Sequence, residues 1–183
     1  WNLEYRMSTL ELKELSHPSG EVIKIAAGKT LDLKSQGTTT LPSGSVLQVV
    51  SYTRNITQNG GNYFLTSTSQ SMTASTFGES VTPTSTSSKI FVFISTNVYS
   101  ENTSSDVTIY RDSTNLGGVA HGFAQSMGTA FWKPLTMQYL DSPNTTSAVT
   151  YKVGARATTS GGTVYIGADS DTVNVITLME IQG

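Results

Sequence analysis

Cysteine is absent from this chain of 183 residues. A disulfide framework and any Cys-based zinc site are therefore excluded, and stability has to come from burial, sheet hydrogen bonding and assembly. Charge is scarce as well: 13% of residues are Asp, Glu, Lys or Arg, with a net charge of −2. Such a composition supplies neither the basic patch of a nucleic-acid binder nor the like-charge block of a disordered tail. No run approaches the about 18 consecutive apolar residues of a membrane span. The opening WNLEYRMSTLELKELS lacks the basic start and apolar core of a secretory signal. Met7 reads as a natural start, with Trp1 to Arg6 as an extension before it.

Serine and threonine fill the space that charge leaves, at roughly three residues in ten, above ordinary globular usage. Aliphatic and aromatic residues recur among them. That pattern suits a β-rich body with Thr on outward strand faces and Ser in turns. From Ser45 onward the reading is nearly all β, with strands expected near residues 46–53, 62–67, 70–76, 89–98, 106–112, 130–140, 147–157, 163–167 and 172–181. Turn signals separate most of them, among them Asn59-Gly60-Gly61, Thr82-Pro83, Asn115 to Gly118, Ser160-Gly161-Gly162 and Asp169 to Asp171. Many short strands at this spacing predict an antiparallel, jelly-roll-like β-sandwich. The run KIFVFI is apolar on successive residues, as in a strand covered on both faces, which predicts a second cover at a subunit interface. The stretch YLDSPNTTSAVTYKV, Tyr139 to Val153, reads as strand, turn, strand and so as a hairpin.

Residues 1–44 read differently. Ser8 or Thr9 can cap a short helix carrying Leu10, Leu12 and Leu15, although the same residues alternate well enough for a strand. Val22 to Leu33 then suggests two short strands around Ala27-Gly28-Lys29, a pair too small to be stable alone. The Ser/Thr/Gly/Pro-rich stretch Gly37 to Gly44 marks the boundary. The expected organisation is an N-terminal arm and short β shaft over residues 1–44, followed by a sandwich over 45–183.

Little in the chain suggests catalysis. His17 and His121 are the two histidines. They lie in different regions, and one imidazole does not specify a metal site. His121, in the Gly-rich GGVAHGFAQSMG, reads as a loop histidine, with a ligand contact or a metal on a threefold axis as the functional alternative. A glycosidase needs two carboxylates roughly 5–9.5 Å apart. Asp106, Asp112, Asp141, Asp169 and Asp171 read instead as strand-end and turn residues. The chain has no G-x-S-x-G elbow, phosphate loop or dinucleotide fingerprint. No catalytic residue, metal ligand or cofactor is expected. Trp132 can stack on a sugar, or serve as core or interface. The irregular stretches 99–105 and 115–129 are where binding is expected. The candidate contact residues are Tyr99, Asn102, His121 and Trp132.

Six segments in order carry a resemblance: MSTLELKEL with AAGKTLDL, LPSGSVLQVV, TPTSTSSKIFV, VTIYRDST, YLDSPNTTSAVTYKV and the terminal VITLMEI. Together they span Met7 to Ile181 and resemble virion structural proteins of tailed bacteriophages, tail-fibre or tail-tip proteins of the marine and cyanobacterial phage type. Residues 54–80 and 115–130 follow no family pattern. The resemblance implies a non-enzymatic homotrimer in the virion tail. Its N-terminal arm would attach to other tail proteins, and its β domain would form a tip that binds a host surface glycan or protein. It implies neither nucleic-acid binding nor membrane insertion. A structural head, collar or tail adaptor and a polysaccharide depolymerase are the alternatives.

Overall fold

The computed structural model describes residues 27–29, 41–57, 60, 62–118, 121–128, 130–167 and 172–183. The chain divides into two compact units, Trp1–Thr40 and Leu41–Gly183. Ala27 and Gly28 form a turn. The elements expected on either side of that turn, and the 8–16 segment, lie outside the described residues. Gly44 belongs with the second unit, because its amide donates to the Gln182 carbonyl at 2.8 Å.

The second unit is all β. Its strands are β1 (Val46–Arg54), β2 (Leu65–Ser67), β3 (Thr73–Val81), β4 (Lys89–Glu101), β5 (Ser105–Arg111) and β6 (Thr114–Asn115). They continue with β7 (Ala124–Ser126), β8 (Trp132–Asp141), β9 (Val149–Ala157), β10 (Thr163–Ile166) and β11 (Asn174–Ile181). One antiparallel sheet runs β1-β11-β4-β10-β2, with β8 on the other side of β4; the second runs β3-β9-β5-β6, with β7 also on β5. The pairing is nested. β1 meets β11, β3 meets β9, β4 meets β8, and β5 meets β6 and β7. A long antiparallel ribbon has folded over itself to form two facing sheets, the jelly-roll solution to burying one face of each strand.

Period-two alternation decides which side chains enter the core. On β4 the inward residues Ile90, Val92, Ile94 and Val98 are buried. They face Phe77, Val107, Ile109, Tyr151 and Val153 of the other sheet within one continuous core. Phe64, ahead of β2, stacks on Phe77 at 4.9 Å between ring centroids. Burial of this order is worth about 1.5–3 kcal/mol per large apolar side chain.

Three expectations need correction and one needs refining. Tyr139 to Val153 is not a hairpin. β8 pairs with β4 in one sheet, while β9 pairs with β3 and β5 in the other. The connection crosses the sandwich because each arm has its apolar face toward the core from the opposite side. Within a single chain KIFVFI is fully covered on one face only, since Phe91 and Phe93 lie half-buried on the outer face of β4. Its outer apolar residues flank one another across strands instead. The strand buried continuously is β5, whose Ser105 to Ile109 are all buried. Its outer side is closed by the row Gln125–Asp106–Arg156 and by the segment after β6. Third, β3 extends to Val81, five residues past the expected end at 76, with a register shift between Ala74 and Gly78. Fourth, the 115–129 stretch is not wholly irregular, for it contains Asn115 of β6, all of β7 and a parallel bridge between Val107 and Gly122. Gly122 has φ 63° and sits so close to the Val107 carbonyl that a Cβ would overlap it. Only glycine fits both conditions.

Two buried acids anchor side-chain hydrogen-bond clusters at the ends of their strands. Asp141, ending β8, accepts from Arg111 Nη1 at 2.7 and 2.9 Å and from the Tyr151 hydroxyl at 2.7 Å. Because Arg111 and Tyr151 belong to the opposite sheet, this cluster ties the sheets together where the β8–β9 connection begins. Glu180 on β11 is fully buried. It accepts from Gln48 at 2.6 Å and from the Thr84 amide and hydroxyl at 2.6 and 2.7 Å.

Candidate functional site

Three adjacent strands place aromatic residues side by side on the outer face. Trp132 opens β8 opposite Tyr99 of β4, and Tyr99 lies opposite Tyr165 of β10. The pairing places Trp132 and Tyr165 outward, as alternation places Tyr99 outward between the buried Val98 and Ser100. Likewise Tyr165 lies between the buried Val164 and Ile166. Directly opposed residues come within side-chain contact in an antiparallel sheet. Accordingly Tyr99 and Trp132 have ring centroids 4.5 Å apart, and Tyr99 and Tyr165 5.7 Å apart.

Tyr63, just before β2, completes the group. Its ring lies 4.9 Å from Tyr165 in an edge-on contact and 6.0 Å from Trp132. Tyr63 and Trp132 each remain 38% exposed. The four rings thus form a platform with two central half-buried members and two exposed ones. Tilted and edge-on contacts favour the ring quadrupoles and add about 0.5–1.5 kcal/mol per pair beyond area burial. This mutual packing holds the rings in place before any ligand arrives.

Polar groups border the platform. Asn97 and Glu101 lie two residues before and after Tyr99, on the same face of β4. Tyr165 donates its hydroxyl to Glu101 Oε2 at 3.4 Å. Burial among the rings, then the Glu101 charge and hydrogen bond, push the Tyr165 phenol above its ordinary pKa. Phe131, next to Trp132, is exposed, with the Lys133 ammonium 4.9 Å from its ring centroid. Lys133 also donates to the carbonyls of Met127 and Gly128. Behind it lies an open cleft of about 220 Å³ lined by Val98, Gln125, Ser126, Met127, Lys133, Pro134 and Leu135.

Of the residues named from sequence, Tyr99 and Trp132 come together here. Asn102 serves the β4–β5 turn, where it holds φ 54°, a conformation Asn tolerates better than most residues. Its carbonyl accepts from the Thr159 hydroxyl. His121 belongs to the other sheet, beside the buried Asp106 at 3.3 Å. Its side chain is 69% exposed, and Gln125 bonds the same carboxylate at 2.9 Å.

Tyr63 and Tyr165 were missed by sequence reasoning. The available cue for Tyr165 was its outward phase within TVYI. Tyr63 falls inside the strand expected at 62–67, but β2 begins only at Leu65, so alternation did not fix the direction of its side chain.

The acids also need correction. Asp106 is a strand residue, fully buried and paired with Arg156 Nε at 2.8 Å. Asp141 is the inter-sheet clasp described above. Both sit at strand ends as expected, Asp106 near the start of β5 and Asp141 at the end of β8, but each pairs with a distant arginine instead of serving a local turn. Asp112 does act in a turn, at φ 52°, where it accepts from the Thr150 amide at 2.9 Å. Asp169 and Asp171 lie outside the described residues. Among the described residues no group of three or more His, Asp or Glu side chains is arranged to hold a metal ion.

No protein-family model matches the chain, and a search of curated proteins finds no match.

Proposed function

We propose that this chain is a bacteriophage virion structural protein, a tail-fibre or tip adhesin that binds a glycan on the host cell surface through the Trp132, Tyr99, Tyr165 and Tyr63 platform. The observation that carries the reading is this exposed group of rings on an otherwise scaffold-like sandwich. A pyranose has one face rich in C–H groups and a rim of hydroxyls. Exposed Trp and Tyr supply apolar, electron-rich faces for the first, and Asn97 and Glu101 supply hydrogen-bonding groups for the second. A few convergent polar groups around an aromatic floor are what orient a small ligand. The ordered segments quoted above support the virion assignment. In this reading residues 1–40 attach the domain to the rest of the tail.

Binding of the purified chain to host envelopes and to isolated envelope polysaccharide tests the reading. Wild type is expected to be retained, and Trp132→Ala to lose at least tenfold in affinity, the loss typical of a central aromatic anchor. Asn102→Ala and His121→Ala should bind as wild type. Retention unaffected by Trp132→Ala would overturn the platform assignment. No retention on any host envelope would favour a structural adaptor of the virion.

A further inference from the structure

We propose that the cleft between β7 and β8, beside Trp132, holds an anionic substituent of the bound glycan, a carboxylate or a phosphate, with Lys133 as the residue that recognises it. The proposal rests on the adhesin reading and narrows its ligand to an acidic polysaccharide. Alternation puts Lys133 on the other side of β8 from Trp132. Lys133 lies opposite the buried Val98, as Trp132 lies opposite the outward Tyr99. Among the described residues β8 pairs with β4 on one side and with no strand on the other, so the two side chains flank a free sheet edge. A glycan seated on Trp132 has only that edge to pass before it meets the cleft.

The cleft suits a small polar group. Val98 and Leu135 give it an apolar floor, and Gln125 and Ser126 of β7 form a polar wall. Its volume of about 220 Å³ is below the roughly 300–1,000 Å³ of pockets that enclose a whole drug-sized ligand. It therefore takes a substituent and leaves the sugar rings to the platform. Ser126 Oγ is buried with no hydrogen-bond partner among the described residues. A buried polar atom without a partner asks for an explanation. A serine hydroxyl turns about a single torsion to meet a new acceptor, and an anionic oxygen in the cleft is such an acceptor.

The charge of the cleft makes the ligand anionic. Lys133 Nζ donates to the carbonyls of Met127 and Gly128, the second at 3.0 Å, and sits 4.9 Å from the Phe131 ring centroid. An ammonium has three donors, so two bonds hold it in position and one N–H is left for a ligand. The loop that carries the carbonyls is itself pinned. Ala130 holds φ 68° and its amide donates to the Ser100 carbonyl at 2.8 Å, in a conformation costly for a residue with a Cβ. Every one of these contacts to Lys133 is neutral. Arg111 and Arg156 each pair with a buried aspartate, whereas no carboxylate among the described residues pairs with Lys133. Bonding two loop carbonyls requires only a neutral donor. A staple for the loop does not account for a fixed positive charge at the mouth of a cleft that holds no countercharge.

Isothermal titration of the full chain with host envelope polysaccharide tests this in three forms: native, carboxyl-reduced and dephosphorylated. Wild type should lose about tenfold or more in affinity for one treated form, the effect of one charge-assisted hydrogen bond. Which treatment does so tells carboxylate from phosphate. Lys133→Gln keeps an N–H donor for the loop carbonyls and loses the charge. It should bind the native form about tenfold more weakly and no longer tell native from treated. Unchanged wild-type affinity for both treated forms would overturn the proposal, and that arm needs no variant. So would a Lys133→Gln chain, folded by its melt, that still discriminates the forms. If binding ignores both treatments yet still requires Trp132, the adhesin reading stands without the anion site. Wild type that binds no form sinks the adhesin reading and this site with it.

Discussion

Removing the inter-sheet clasp should destabilise the sandwich by an amount the geometry specifies. Tyr151 is fully buried, and its hydroxyl donates to Asp141 Oδ2 at 2.7 Å. Burial first, then the Asp141 hydrogen bond and charge, raise the phenol pKa well above its ordinary value, so the donor stays protonated across the working range. Tyr151→Phe removes one hydrogen bond to an ionised acceptor, about 1.5–3 kcal/mol, and leaves Asp141 still held by Arg111. Asp141→Ala does more. It strands the Tyr151 hydroxyl in the core, an additional cost of about 1–3 kcal/mol. The Arg111 side chain, 24% exposed, recovers part of its loss through water. The total for Asp141→Ala is about 3–4 kcal/mol. Adding Tyr151→Phe to Asp141→Ala then removes a stranded donor, so the double variant should be no less stable than Asp141→Ala alone. Urea unfolding at pH 7 reads the cycle, and heating should show the Asp141→Ala midpoint about 10 °C low. Strict additivity of the two substitutions, or a loss under about 1 kcal/mol for Asp141→Ala, would refute the clasp.

The remaining predictions address separate elements. Trp132→Ala should cost about 1–3 kcal/mol of stability through its two ring pairs, so its binding defect is to be read well below its melting temperature. Gly122→Ala should destabilise by about 2 kcal/mol or more, measured by thermal melts, because the Cβ meets the Val107 carbonyl in a left-handed conformation. For Glu180, burial acts to raise the pKa, but hydrogen bonds from Gln48 and Thr84 outweigh it and hold the carboxyl below its ordinary 4.5. A depressed carboxyl contributes stability that is full above the unfolded value and vanishes as pH falls through the folded one. Glu180→Gln should therefore flatten the acid limb of the stability profile below about pH 4.5, and an acid limb identical to wild type would exclude Glu180 as its source.

Much of the β pattern was legible because alternation is a local property. Thr163 to Ile166 and Asn174 to Ile181 show their inward and outward phases in four to eight residues. Pairing was not legible, and Tyr139 to Val153 shows why. Its turn chemistry was read correctly: Asn144 holds φ 54° and bonds the Ser142 carbonyl. Yet the same turn residues suit a hairpin or a crossover, and the choice rests on which distant strand offers a better apolar face. Asp106 posed a similar problem. Nothing near it in sequence announces Arg156, which β9 delivers through register.

Tyr99 and Trp132 were named separately, each beside an irregular stretch, with no means of linking them. Their contact exists because β8 pairs with β4 along its whole length, which sets Trp132 directly opposite Tyr99. Tyr165 joins because β10 takes the end of β4 that β11 leaves free.

The sequence alone determined the class of this protein. Lack of cysteine, sparse charge and period-two runs between turn residues leave a β domain held by burial and backbone hydrogen bonds. It also determined, strand by strand, which side chains point the same way, since that depends only on the pleat. Tertiary structure decided which strands became neighbours, and with that everything of functional interest. The aromatic platform and the Asp141 clasp each join residues from separate strands. Such contacts form only when the core of both sheets closes at once, because no single pair of strands buries enough apolar surface to choose its own partner.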